Sequence, residues 1–102
     1  MTEKNTYEND EIIELPIDGV LDLHTFAPRE VKDLVKEYLR ECLRLGIFDV
    51  RIIHGKGKGV LRRTVHSTLD KLDFVVSHRL DSQSSSSWGA TLVVLKRPLL
   101  NQ

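Results

Sequence analysis

The segment His54-Gly55-Lys56-Gly57-Lys58-Gly59 lies between an apolar run, 50–53, and an amphipathic run, 60–72. The first run predicts a β-strand and the second an α-helix. Glycine at every second position lets the backbone approach a ligand closely. The first N–H groups of the helix lack intrahelical partners and favour an anion, and the two lysines add positive charge beside them. The segment therefore predicts a phosphate-handling loop between a strand and a helix.

Hydrophobic periodicity in the rest of the chain completes an alternating pattern. Short apolar or alternating runs predict strands over 20–24, 48–53, 74–80 and 90–95. Apolar residues three and four apart predict a helix from Pro28 to the stop signal at Gly46. The resulting order predicts an α/β fold, a two-layer β-α-β-α-β-β sandwich with a four-stranded mixed sheet. Its first strands pair in parallel through right-handed crossovers, and an antiparallel strand completes it.

Length and charge limit the class of protein. A chain of 102 residues forms one domain, predicted at 19–97, between an acidic, flexible N-terminal segment, 1–18, and a short tail, 98–102. No apolar run approaches the roughly 20 residues of a membrane span, so no membrane partner is expected. The net charge is zero, but 1–22 is acidic and 51–68 carries only basic charges. This asymmetry indicates either a site for a polyanion or an ordinary solvated face.

A lone cysteine, Cys42, excludes an internal disulfide and fits a reducing compartment, so a cytoplasmic location is expected. Cys42 falls on the apolar face of the first predicted helix. We therefore expect a small core residue rather than a nucleophile.

Two histidines follow the predicted parallel strands. His24 ends the first strand and His54 the second, and ligands of such sheets bind beyond the carboxyl ends of the strands. Asp22 precedes His24 by two residues, so both side chains share a face, and the carboxylate can orient the imidazole. His24 could then transfer a proton, while His54 acts as a second acid/base group or binds phosphate as a cation.

Two alternatives remain for these residues. Each histidine could be an ordinary surface residue. Asp22, His24 and His54 could also bind a metal ion, although no third histidine or fixed ligand spacing supports that. The segment from His54 to Gly59, here called the glycine loop, matches neither the P-loop nor the dinucleotide fingerprint, so a nucleotide cofactor is not expected.

Three ordered segments of the chain resemble the signature motifs LDxH, HGxG and GxTxVxL of the Smr (small MutS-related) domain family. They are Leu21-Asp22-Leu23-His24, His54-Gly55-Lys56-Gly57 and Gly89-Ala90-Thr91-Leu92-Val93-Val94-Leu95, and the match spans about 20–96. The resemblance implies a fold similar to the C-terminal domain of bacterial translation initiation factor three. It also implies an endonuclease that acts on DNA or RNA, in some branches on stalled ribosomes. Threonine and phenylalanine follow His24 where the family often has glycine. Phe26 could pack into the core or stack on a base, and Trp88 could be an anchor or a stacking platform.

Together these observations predict a domain, either stand-alone or excised from a longer protein, that is an endonuclease or nickase for phosphodiester bonds. The partner would be RNA or branched or nicked DNA, or the ribosome. RNA supplies its own 2′-hydroxyl nucleophile, whereas DNA requires water and usually a divalent cation such as Mg²⁺ or Mn²⁺. The alternatives are a nucleic-acid or ribosome binding module without cleavage and a protein-interaction domain. The candidate catalytic residues are Asp22, His24 and His54, and the candidate nucleic-acid contacts are Gly55, Lys56, Gly57, Lys58, Gly59, Arg62 and Arg63.

Overall fold

The computed structural model describes residues 16–55, 57, 59–81 and 89–99. The expectations for most of the N-terminal segment, for Lys56 and Lys58, and for Trp88 lie outside these residues. The described elements are β1 (Val20–Asp22), α1 (Pro28–Leu45), β2 (Asp49–Ile53), α2 (Val60–Asp70), β3 (Val75–Leu80) and β4 (Ala90–Leu95). Neither of these helices combines the length and the hydropathy that crossing a membrane requires.

The four strands form one mixed sheet in the order β1-β2-β4-β3. β1 and β2 are parallel, and β4 is antiparallel to both of its neighbours. The predicted α/β fold with a four-stranded mixed sheet is therefore confirmed, and the structure adds that β4 lies between β2 and β3. A central place for β4 fits its sequence, because five of its six residues are apolar and four of the six are buried.

The first helix has the boundaries that its sequence indicates. Pro28 opens it, and the Glu30 carboxylate accepts the backbone N–H of Ala27 at 2.9 Å in place of a side chain on the N-cap itself. Gly46 ends it in the left-handed conformation, with φ of 78°, which glycine adopts without strain. Its apolar stripe is buried against the sheet, and Cys42 is wholly inaccessible there.

Both helices cover the same face of the sheet. One core cluster joins the inward residues of the strands, such as Leu23 and Ile52, to those of the helices, such as Val35 and Val65. Cys42 belongs to this cluster, and its burial raises the pKa of the thiol to about 11, so the expectation of a core residue is confirmed. The other face of the sheet, here called the open face, carries exposed side chains such as Val20. The structure is a two-layer sandwich.

Candidate nucleic-acid site

The carboxyl ends of β1 and β2 lie side by side. The parallel register pairs Asp22 with Ile53, and one further ladder bond runs from the backbone N–H of Leu23 to the Ile53 carbonyl at 2.8 Å. His24 and His54 therefore follow the ends of neighbouring strands, as the predicted parallel pairing requires.

Asp22 and His24 form a hydrogen-bonded pair on the open face. His24 Nδ1 lies 2.8 Å from Asp22 Oδ1, which also accepts the backbone N–H of His24 at 3.0 Å. These hydrogen bonds hold the pKa of the Asp22 carboxyl below its ordinary value. Because a carboxylate can only accept a hydrogen bond, Nδ1 of His24 carries the proton. In the neutral ring Nε2 then has a free lone pair that can accept a proton. The His24 side chain is 70% exposed, so a substrate can reach it.

The imidazole of His54 lies on the opposite face, beneath α2. Its exposed fraction is 5%, and Nε2 lies 2.8 Å from the hydroxyl of Thr91 in β4. Burial lowers the pKa of His54, and the positive charge of Arg62 adds to this effect, while the hydrogen bond to the Gly55 carbonyl opposes it. The two imidazoles therefore lie on opposite faces of the sheet, although the strands that they follow are neighbours. His54 points inward, on the same side as Ile52, whereas Asp22, which binds His24, points outward.

This division bears on the metal alternative. Among the described residues, no three histidine, cysteine or carboxylate side chains are arranged to hold a metal ion. Asp22 and His24 meet, and His54 does not join them.

The glycine loop is held at its base by Gly89, the residue that precedes β4. The N–H groups of His54 and Gly55 both donate to the Gly89 carbonyl, at 2.8 and 2.9 Å. Gly55 and Gly59 have φ of 87° and 85°, a region that residues with a side chain rarely adopt. Glycine at these two positions therefore serves the turn of the backbone.

Two arginines fold back over the beginning of α2. A Cβ atom at Gly59 would lie 2.8 Å from Arg62 Nη2 and 3.2 Å from Arg63 Nη1. Both guanidinium groups therefore lie beside the free N–H groups of the helix N-terminus, where anions are favoured. A cleft at this end of the helix is lined by the loop glycines and by Arg62.

Sequence reasoning assigned no role to Thr91, which contacts the buried imidazole, or to His66, which contacts Thr91. The Thr91 hydroxyl lies 2.7 Å from His66 Nε2, in addition to its contact with His54. Thr91 is fully buried, on the same face as Val93 and Leu95. A polar residue at an inward position of an apolar strand was the available signal, since buried hydroxyls require partners.

Comparison with known proteins agrees with this architecture. The Smr domain model matches residues 21–96, and the chain therefore belongs to the Smr domain family. The crystal structure of the Smr domain of Thermus thermophilus MutS2 superposes with a TM-score of 0.73 at 31% identity, over 79% of this chain and 100% of that one. YdaL, a stand-alone small MutS-related protein from Escherichia coli, gives a TM-score of 0.73 at 26% identity, over 80% of this chain and 67% of that one.

Longer relatives carry the same domain. Endonuclease MutS2 of Halothermothrix orenii is 35% identical over 80 residues, which is 78% of this chain and 10% of that protein. Endonuclease MutS2 of Clostridium botulinum strain Langeland is 36% identical over the same length and shares. The chain thus spans about a tenth of these relatives. It is a member of a nuclease-related family and corresponds to one of their domains.

Proposed function

We propose that this domain binds nucleic acid at the carboxyl end of β1 and β2 and cleaves its phosphodiester backbone. The single observation that carries the proposal is the exposed Asp22–His24 pair at the same end of the sheet as the glycine loop and the start of α2. The name of the MutS2 relatives, endonuclease, supports this reading.

His24 is the proton-transfer group in this proposal. Its Nε2 atom takes a proton from the attacking oxygen, which is the 2′-hydroxyl in RNA or a water molecule in DNA. As that oxygen bonds to phosphorus, the bond from phosphorus to the leaving oxygen breaks, and the leaving oxygen takes up a proton from solvent or from the imidazolium. Asp22 keeps the ring in one tautomer and stabilises the imidazolium that forms. With DNA, a divalent cation would supply the activation of water.

The glycine loop and the start of α2 bind the phosphate. Backbone N–H groups, the two lysines of the loop, Arg62 and Arg63 supply positive charge where negative charge develops during cleavage. These groups contact phosphate rather than base edges, so they fix position on the strand without reading its sequence. His54, with its ring buried, contributes to this site through the loop that it anchors.

A second candidate function is binding without cleavage. The observation in its favour is that, of the two histidines at the strand ends, only His24 has an exposed ring. RNA-cleaving sites commonly need one group to accept a proton and another to donate one. A single exposed imidazole supplies one of these two groups, which favours binding without cleavage.

Labelled substrates distinguish the two functions. Single-stranded RNA, hairpin RNA, linear DNA and branched DNA are incubated with the protein, each with and without EDTA, and both binding and product are measured. We expect product from at least one substrate. Salt-sensitive binding with no product from any substrate would favour the binding module, and no affinity even at low salt would overturn both functions.

A further inference from the structure

A polar bridge crosses the interior between the sheet and α2. The Thr91 hydroxyl oxygen lies 2.8 Å from His54 Nε2 and 2.7 Å from His66 Nε2. Thr91 is fully buried, and both rings are partly or wholly enclosed. The three residues come from the end of β2, from β4 and from α2, so the bridge ties together the elements on both sides of the glycine loop.

We infer that the Thr91 hydroxyl relays the tautomer of His54, which the Gly55 carbonyl sets, to His66, and that Thr91 and His66 are positioning residues for the phosphate-facing loop. The effect on cleavage rests on the proposed function, whereas the arrangement of protons does not.

The hydrogen bonds of His54 determine which atoms of the bridge donate and which accept. His54 Nδ1 lies 3.2 Å from the Gly55 carbonyl oxygen, which can only accept, so Nδ1 carries the proton of the neutral ring. Nε2 then has a lone pair, and the Thr91 hydroxyl donates to it. A hydroxyl has a single proton, so Oγ1 accepts at its other contact, and His66 carries its proton on Nε2.

The surroundings favour the neutral rings that this arrangement of donors and acceptors requires. Burial lowers the pKa of His66, and the charges of His78, His54 and Arg62 act in the same sense, while Asp70 opposes them. The pKa of His54 is lowered by burial and by Arg62. The His78 ring packs against His66 at a centroid distance of 4.8 Å, and its Nε2 atom lies 2.7 Å from Asp70 Oδ1.

The bridge controls the first peptide of the loop. The same imidazole that accepts from Thr91 donates through Nδ1 to the Gly55 carbonyl, and the N–H groups of His54 and Gly55 are held by Gly89. Gly89 and Thr91 belong to one segment, so the start of β4 holds the loop both by its backbone and by a side chain. A ring that turned away from Thr91 would release the Gly55 carbonyl and change the orientation of the peptide that faces the phosphate.

Nuclear magnetic resonance tests the arrangement of protons in the wild-type chain. Long-range ¹H–¹⁵N correlations of the uniformly labelled protein report which ring nitrogen carries the proton. At pH 7.5 we expect the Nδ1–H tautomer for His54 and the Nε2–H tautomer for His66. The opposite tautomer at His54, or averaging between two tautomers, would overturn the inference.

Two matched variants test the hydroxyl itself. Thr91→Val removes the hydroxyl at nearly the same size, and Thr91→Ser retains it. We expect mixed tautomers at His66 in the valine variant, while the Gly55 carbonyl keeps the Nδ1–H tautomer of His54, and the wild-type pattern at both rings in the serine variant. A wild-type tautomer at His66 in a folded valine variant would overturn the bridge. If the valine variant does not fold, the wild-type tautomers and the serine variant decide.

The positioning role is tested on whichever labelled oligonucleotide the wild type cleaves. Because small misplacements cost as much as ~100-fold in rate, we expect Thr91→Val to lower the cleavage rate by up to that factor while Thr91→Ser stays near wild type. Equal rates for all three proteins would overturn the positioning role. If the wild type cleaves nothing, the proposed function fails, and the tautomers still decide the bridge.

Discussion

One oxygen of Asp22, Oδ1, accepts from both the ring Nδ1 and the backbone N–H of His24, at 2.8 and 3.0 Å. This double contact fixes the His24 ring on an exposed surface. Among the described residues, no other side chain bonds to the ring. The geometry suits a group that must meet a substrate with its Nε2 atom.

Replacing Asp22 by asparagine keeps an acceptor of the same shape and removes its charge. We expect slower cleavage, because the amide stabilises the imidazolium less than the carboxylate does, and a loss smaller than that of His24→Ala. Cleavage rates at saturating substrate are the measurement. Asp33→Asn, on the exposed side of α1, is the matched control and should cleave at the wild-type rate. Wild-type cleavage by Asp22→Asn would remove Asp22 from the mechanism.

The three glycines of the loop differ in what an alanine would meet. Gly55 and Gly59 have positive φ, whereas Gly57 does not, and nothing lies within 4 Å of a new Cβ atom at Gly57. We expect Gly57→Ala to leave the free energy of unfolding nearly unchanged and Gly55→Ala to cost about 1–3 kcal/mol of backbone strain.

Gly59→Ala should cost at least as much as Gly55→Ala and should also weaken nucleic-acid binding, because the methyl group displaces Arg62 and Arg63. Urea denaturation and oligonucleotide titration measure the two effects. Equal stability of the three variants would contradict the backbone conformation described for this loop.

The buried histidines predict how stability depends on pH. Burial lowers the pKa of His54 and of His66 below the ordinary value of 6.5. As pH falls through 6.5, the unfolded chain takes up protons that the folded chain does not, so the free energy of unfolding falls. Above that pH both states hold neutral rings. The lowered pKa of Asp22 acts only as pH falls below about its ordinary value of 3.8, outside this window.

We therefore expect a lower urea midpoint at pH 5.5 than at pH 7.5, and a smaller difference in His66→Gln than in the wild type. Equal midpoints at the two pH values in the wild type would show that the rings do not remain neutral through burial.

Arg62 is expected to contribute one phosphate contact. Each neutralised phosphate adds about 0.7–0.9 to the slope of log affinity against log salt concentration. The slope for Arg62→Gln, measured between ~50 and ~200 mM salt, should therefore be smaller than that of the wild type by about that amount. Arg40→Gln, at an exposed arginine of α1 that pairs with Glu37 at 3.5 Å, is the control and should keep the wild-type slope. An unchanged slope for Arg62→Gln would place the phosphate elsewhere.

The sequence was sufficient for the fold because its local signals agree with one another. The stripe of α1 and the stop at Gly46 set that helix, and the parallel pairing of β1 with β2 followed from the alternation of strands and helices. The position of β4 between β2 and β3 could not be read from periodicity, since strand order depends on long-range packing.

The candidate site was predictable only in part. The Asp22–His24 contact follows from a two-residue spacing within one strand. The separation of His54 from that pair also follows from strand alternation, but only once the register of β1 and β2 is known. The bridge joins Thr91 to His66, which is 25 positions away in the chain, and to His54, which is 37 positions away. No local sequence pattern encodes such contacts.

The central claim is that His24 is the proton-transfer group of a phosphodiester-cleaving site. The direct test measures both affinity and single-turnover cleavage for wild type and His24→Ala on the best substrate, with and without EDTA. We expect unchanged affinity and a loss of about 10²- to 10⁴-fold in the cleavage rate, the usual contribution of a general acid or base. Cleavage by His24→Ala at the wild-type rate would contradict the claim.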